Sequence, residues 1–480
     1  MTPAHGGAGT PWVPSTHAAV SGRSANPMLL MGFLGLCFYI FAYYSRILDL
    51  GFGSLHLPGI ALGVATAVAV LSGRIANGLQ NRIGVCLAGL SIWLVISIPG
   101  SYWRTGSIEV LTGSWIPALL VFLVEGAVIT TVGQCRRTLF VLGLATGTGA
   151  IIVTLRGAAT HGRLYLAGSR YANANTVAIM LLLGMPMVWL LAAGPRAGKI
   201  RKALVAGVLI LMLVALFRTG SREGLIGLAA LCATAFVRSR ALGRVAIAAS
   251  VVVIALAAAA FLPQSVKSRL GTMFGPESVE VEGADAASQW AVTTTAAASS
   301  QSRLRLLKDS LSVTASHPFL GVGPGNFAPY CADREKQRAR PGFALWVGTH
   351  NTYTQLSSEV GIPGLIFYLG VLVASMGGLQ RIYRQARRIP GNQGSDIAYM
   401  ALALHTSFVA FCVTCCFNHM AYELTMPLMA AIAVAISKTA PAELRRMEEA
   451  AKASNAGDGS NLPRANQSST RPRARFEKAR

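Results

Sequence analysis

Charge is scarce in this chain, and negative charge is scarcer still. Of 480 residues only 13% are Asp, Glu, Lys or Arg, and 19 acidic residues face 42 Lys and Arg. A soluble domain ordinarily carries about 25% charged residues, so a water-facing surface of normal composition is excluded. Cysteine is sparse too, at eight residues. Seven sit in or at the ends of apolar segments, including Cys412, Cys415 and Cys416 of CVTCC, and read as small core residues. Cys331 stands alone in a polar stretch, and neither a disulfide framework nor a metal cluster follows from the spacings. No G-x-G-x-x-G loop follows a strand, which excludes a dinucleotide fingerprint. The basic start and small-residue cleavage site of a secretory signal are missing, so the first apolar run reads as retained.

What the sequence has in abundance is uninterrupted apolar residues. The hydrophobic share is 53%, and runs such as PMLLMGFLGLCFYIFAYYS from Pro27 and GRVAIAASVVVIALAAAAFLP from Gly243 approach the roughly 20 residues that span a bilayer as helix. They are too long and too continuously apolar for the alternating strands of a membrane barrel. The expected fold is all-α and polytopic, with about 12 transmembrane helices. These fall near 28–46, 55–72, 83–99, 110–132, 138–156, 174–193, 203–217, 223–237, 243–262, 360–379, 399–417 and 422–438. The seventh and eighth are short and tightly joined, so a re-entrant hairpin is the alternative there. The domain plan is a disordered tail over 1–27, a membrane domain over 28–438 and a basic disordered tail over 439–480.

Orientation follows from the cations. With the N-terminus in the cytoplasm, the inside loops hold Arg74, Arg82, Arg136, Arg137, Arg196, Lys199, Arg201, Lys202, Arg238, Arg240, Arg244, Arg381, Arg384, Arg387 and Arg388. Positive loops stay inside. That sends residues 263–358 outside as one large extracytoplasmic loop and puts both tails in the cytoplasm. The net charge of +23 then reads as topology plus attraction to anionic membrane lipids. Nucleic acid is not an expected partner, because the cations are scattered between spans.

The exceptions to that rule carry the chemistry. Arg156, Arg163 and Arg170 share one outside loop, and Arg218 and Arg222 flank the tight outside turn FRTGSREG. Two readings stand: guanidiniums snorkelling to lipid headgroups, or a clamp for a lipid phosphate or pyrophosphate, which guanidinium binds bidentately. Gly220 and Gly224 would let backbone approach such a ligand closely. In the large loop, Glu280 and Glu282 lie in a polar stretch and read as solvated charges. QSRLRLLKDSLSV places Leu304, Leu307 and Leu311 at helical spacing with Arg303, Arg305 and Lys308 around them, the pattern of an interfacial amphipathic helix. HPFLGVGPGNF follows, a turn-rich segment with Gly321, Gly323 and Gly325. In THNTYTQLSSEVGIPGL, His350 precedes a short helix whose positive end favours neutral imidazole, a competent base. A surface histidine satisfied by hydrogen bonds is the alternative. Glu359, nine residues on, is too far along that helix to orient His350.

Taken in order, YLAGSRYANANTVAIMLLL, RTGSREG, QSRLRLL, HPFLGVGPGNF and THNTYTQLSSEVGIPGL resemble the O-antigen ligase and polymerase family of bacterial membrane glycosyltransferases, over roughly residues 160–375. The resemblance implies a GT-C-like helical fold. It also implies transfer of a glycan from an undecaprenyl-pyrophosphate carrier to a lipid-linked, polysaccharide or protein acceptor at the outer face of the inner membrane. By motif it implies Arg222 and Arg303 for pyrophosphate binding, with Arg170 and Arg305 as helpers, and His350 for acceptor activation. The transfer would be inverting, with arginines taking the charge and no metal or other cofactor required. Two positions depart from the family pattern: Ala174, where proline is frequent, and Glu223, where a small residue is common. The former puts any role of Asn173 or Asn175 in doubt. A lipid-linked glycan or anion transporter is the alternative from another class, but the chain lacks the internal repeats such a protein would carry.

Overall fold

Every apolar run is helical, since in lipid a backbone N–H or C=O has no partner except another backbone group. The computed structural model describes residues 26–51, 55–160, 163–194, 197–239, 241–261, 302–337, 347–389 and 394–459. In chain order the membrane helices are α1 (Pro27–Ser45), α2 (Leu57–Leu71), α3 (Arg82–Ser97), α4 (Arg104–Val128, with a π-helical turn over Leu111–Trp115) and α5 (Val132–Arg156). A two-stranded antiparallel ribbon, β1 (Ala158–Thr160) and β2 (Arg163–Tyr165), leads to α6 (Ala174–Ala192), α7 (Lys199–Arg218), α8 (Arg222–Arg238) and α9 (Ala241–Phe261). The large loop contributes α10 (302–316), α11 (Phe327–Gln337) and α12 (Thr352–Glu359). The chain then re-enters the bundle as α13 (Gly361–Ala386), α14 (Ser395–Thr414) and α15 (Thr425–Gly459).

Among the described residues eight helices, α1, α4, α5, α6, α7, α13, α14 and α15, are long and apolar enough to cross a bilayer. All twelve expected runs are helices; α2, α3 and the stretch Ala241–Leu256 of α9 are shorter apolar segments, and α8 has 17 residues with Arg at both ends. One correction concerns the C-terminal tail. Residues 439–459, expected to be disordered, continue α15 as helix to Gly459, because AELRRMEEAAKA is built from strong helix formers and Lys452 pairs with Glu448 one turn away. The tail residues 1–25 and 460–480, and the stretch holding Glu280 and Glu282, lie outside the described residues.

The centre of the bundle is α6, with 72% of its apolar window buried, flanked by α5, α7, α8 and α14; α7 at 22% is peripheral. The outer faces expose Ile200, Leu204 and Ile210 of α7, Leu242 and Val245 of α9, and Ile366 and Val373 of α13. In water such a surface would aggregate; against lipid tails it is the required solvent contact.

Candidate active site at the loop end of the bundle

The site is assembled from three segments far apart in sequence. The first is the turn between α7 and α8. Gly220 takes a left-handed φ of +56°, and the Ser221 side chain caps α8 by accepting from Gly224 N at 3.3 Å. The turn therefore delivers Arg222 and Glu223 as the first two residues of α8. The second segment is the ribbon loop. Arg163 donates from Nε to the Thr219 carbonyl at 3.1 Å and from Nη2 to Asn175 Oδ1 at 2.6 Å, locking the loop onto the turn. The third is α10, whose Arg303 reaches to 3.9 Å from the Glu223 carboxylate.

Glu223 is 1% exposed, with no hydrogen-bond partner for either carboxylate oxygen among the described residues. A buried carboxyl group so placed needs a proton or a neutralising cation, and both Arg303 and Arg163 lie within electrostatic reach. Burial holds Arg163 below its ordinary pKa; Glu223 pulls the other way, while Arg303 and Arg222 add to the depression. Arg303 and Arg163 thus oppose the Glu223 carboxylate, and Arg222 lies within electrostatic reach of both, leaving a net positive cradle.

His350 is brought to the same place by a clamp around α12. Asn351 caps that helix, accepting from Tyr353 N at 3.0 Å and Thr354 N at 3.1 Å, and its amide donates to the Cys416 carbonyl at 3.1 Å. Thr352 N donates to the Cys415 carbonyl at 2.8 Å, and Thr352 Oγ1 donates to the Asn418 carbonyl at 2.6 Å. The CVTCC segment therefore serves through its backbone: its carbonyls at the end of α14 anchor α12. Held this way, His350 adopts φ +50°, a left-handed conformation uncommon outside glycine and concentrated at functional positions. Its half-buried ring meets that of His419 edge-on at 5.2 Å between centroids. Burial, then His419 and Arg303, push its pKa down to about 4, so the ring is neutral at physiological pH.

The glycine-rich segment fixes the loop to this clamp. Gly321, Gly323 and Gly325 all have left-handed φ, and Val322 N and Gly323 N donate to the carbonyls of Ser358 and Glu359 at 2.9 and 2.8 Å. A Cβ on Gly321 would overlap the Glu359 carbonyl. The Glu359 side chain, fully buried, accepts from Gly325 N at 3.0 Å, Phe327 N at 3.3 Å and Tyr422 Oη at 2.9 Å. Glu359 thus organises the loop and does not orient His350. Burial raises its pKa to about 7 against the pull of those donors.

Of the residues singled out from sequence, Arg222, Arg303 and His350 come together. Arg170 does not join them: it donates to Tyr43 Oη at 2.7 Å and Glu423 at 3.3 Å and lies over the Tyr43 ring. Arg305 turns along its own helix toward Asp309 at 3.8 Å. Sequence reasoning missed His419 and the locking role of Arg163. Both are lone polar residues in short outer segments, and only their distant neighbours mark them. Asn175, set in doubt by the Ala174 departure, is the acceptor for Arg163.

An all-helical bundle with long apolar crossings and a polar cluster at one end defines a polytopic α-helical membrane protein. Residues 207–369 match the family model described as O-antigen ligase, which assigns this stretch to the O-antigen ligase family. The matched stretch holds Arg222, Glu223, Arg303 and His350; Arg163, Arg170 and His419 lie outside it. No curated protein matches the sequence.

Proposed function

We propose that the protein transfers a glycan from an undecaprenyl-pyrophosphate carrier to an acceptor hydroxyl at the outer face of a bacterial inner membrane, inverting the anomeric carbon without a metal. The observation that carries this reading is the placement of Arg303 beside the Glu223 carboxylate at the start of α8, within electrostatic reach of both Arg222 and His350. In this mechanism His350 accepts the proton of the acceptor hydroxyl while that oxygen bonds to the anomeric carbon. The bond from that carbon to the pyrophosphate oxygen breaks on the opposite face, and its electron pair leaves with the pyrophosphate. Arg222 and Arg303, steadied by Arg163, meet the charge that develops there. Their cradle also opposes two negative charges on the bound donor, which a pyrophosphate diester supplies. The only acidic residue of the first outside loop, Asp49, is committed to Arg46 at 2.6 Å. The acceptor is a lipid-linked glycan, a polysaccharide or a protein; a polymerase would use the same machinery with a second carrier-linked unit.

The test is His350→Gln in purified protein reconstituted in liposomes. Glutamine keeps a hydrogen-bonding side chain but cannot take a proton at neutral pH. Transfer is expected to fall about 100-fold or more, the usual cost of losing a general base, with donor binding nearly intact. Transfer within a few fold of wild type would reduce His350 to a positioning residue.

A further inference from the structure

His419 has a second neighbour besides His350. It lines a cavity of about 220 Å³ between α1, α5, α6, α14 and α15. The mouth carries Tyr43, Arg170, Asn418, His419 and Glu423, while Leu142, Met180, Leu183 and Met187 line the interior. Leu142 and Met187 each lie about 20 Å along their helices from the loop end, at 1.5 Å per residue, so the cavity runs from a polar rim into the apolar bundle.

The two polar clusters differ in charge. In the first, Arg163, Arg222 and Arg303 lie within electrostatic reach of one another with Glu223 as the one carboxylate among them, a surplus suited to a dianion. At the cavity mouth Arg170 and Glu423 form a pair at 3.3 Å and cancel, so the rim offers donors and acceptors without a field for phosphate. A carboxylate, a guanidinium, an amide and a phenol hydroxyl together match an uncharged polyol, whose hydroxyls both donate and accept hydrogen bonds. Size narrows the ligand further. Pockets for drug-sized ligands run from about 300 Å³ upward, so the enclosed part takes no more than a small group while the polar residues gather at the mouth. The rim reaches His350 by way of His419, whose ring lines the cavity and meets the His350 ring edge-on.

We propose that this cavity is the acceptor subsite, taking the terminal sugar of a membrane-anchored acceptor against Arg170, Glu423, Asn418 and Tyr43 and presenting one hydroxyl to His350. The assignment rests on the transferase reading above and moves Arg170 from the pyrophosphate to the acceptor. It also places acceptor recognition in segments outside the stretch matched to the O-antigen ligase family.

Octyl β-glucoside, below its micellar concentration, is the probe, titrated calorimetrically into the full chain in nanodiscs, with octanol as the sugar-free control. With the heats of partitioning into empty nanodiscs subtracted, octyl β-glucoside is expected to bind and octanol not to. Glu423→Gln, isosteric and at a half-exposed position, should weaken sugar binding about tenfold through loss of a charge-assisted hydrogen bond, while Arg222→Lys should leave it unchanged. Equal binding of octanol, no binding of the glucoside, or the same loss in Arg222→Lys would each overturn the assignment. Transfer from an undecaprenyl-pyrophosphate glycan by wild-type protein in the same nanodiscs tests the transferase reading separately. Sugar binding as expected without such transfer would leave a sugar site and remove the reaction.

Discussion

His350 shows how position sets the strength of a base. The unfolded imidazole takes a proton near pH 6.5, whereas the folded one refuses it until about pH 4. The stability this residue contributes is therefore complete above about 6.5 and lost as pH falls toward 4. Catalysis should carry the same signature. The acidic limb of kcat/KM reports the free enzyme and is expected well below pH 6.5, toward 4. A bound pyrophosphate offsets Arg303 and favours the imidazolium, so the limb of kcat is expected at higher pH than that of kcat/KM. Transfer rates from pH 4 to 8 over a range of donor concentrations check both. A kcat/KM limb at the ordinary histidine value would mean that His350 is solvated in the working enzyme. The motif made His350 and Arg303 visible in the sequence, but their mutual field was not, because 47 residues separate them.

Among the elements, α12 is the one that the rest of the loop exists to hold. Its first turn is bonded to the end of α14 and its last turn to the glycine-rich segment, so α10, with Arg303, and α12, behind His350, move as one piece. Thr314 of α10 and Ser357 of α12 add a direct bond at 2.8 Å. Gly321→Ala is expected to break this assembly. Alanine at φ +65° costs about 1–2 kcal/mol from the left-handed conformation, and its methyl would overlap the Glu359 carbonyl. Transfer should fall at least about tenfold and thermal stability should drop. Gly63→Ala in α2, where a Cβ meets nothing within 4 Å, should change neither. If Gly321→Ala retained full transfer, the glycine segment would not position the site. Its turn-rich character was legible from Gly and Pro alone; that its N–H groups would seek the end of α12 was not, since turn residues specify a bend and not the surface it bends onto.

Over the whole molecule, the cations decide sidedness. A reporter fused near Gly283 is expected outside the cytoplasm and one fused after Arg446 inside it, because the basic loops resist translocation. Alkaline phosphatase and green fluorescent protein fusions read the two compartments in opposite senses. The reverse pattern would put His350 and the arginine cradle on the cytoplasmic face and end the proposal of outer-face transfer. The described helices are compatible with this arrangement: α1 carries Tyr43 and Tyr44 in its last turn, α6 begins beside Asn173 and α15 begins at Thr425, all meeting at the cavity that contains Arg170.

Composition and periodicity were enough to determine a helical membrane protein, since lipid leaves the backbone no other way to satisfy its hydrogen bonds. They also located nearly every helix, together with the arginines and the histidine that stand against the positive-inside pattern. The length of α15 depended on where that helix actually ends, which apolar runs mark poorly. Only the tertiary structure decided which polar residues share a site. Arg303 meets Glu223 across 80 positions, His350 meets His419 across 69, and Arg170 turns to Glu423 across 253. Such pairings are set by how helices pack and loops fold back, and a spacing along one chain segment carries no information about the segment that will lie beside it.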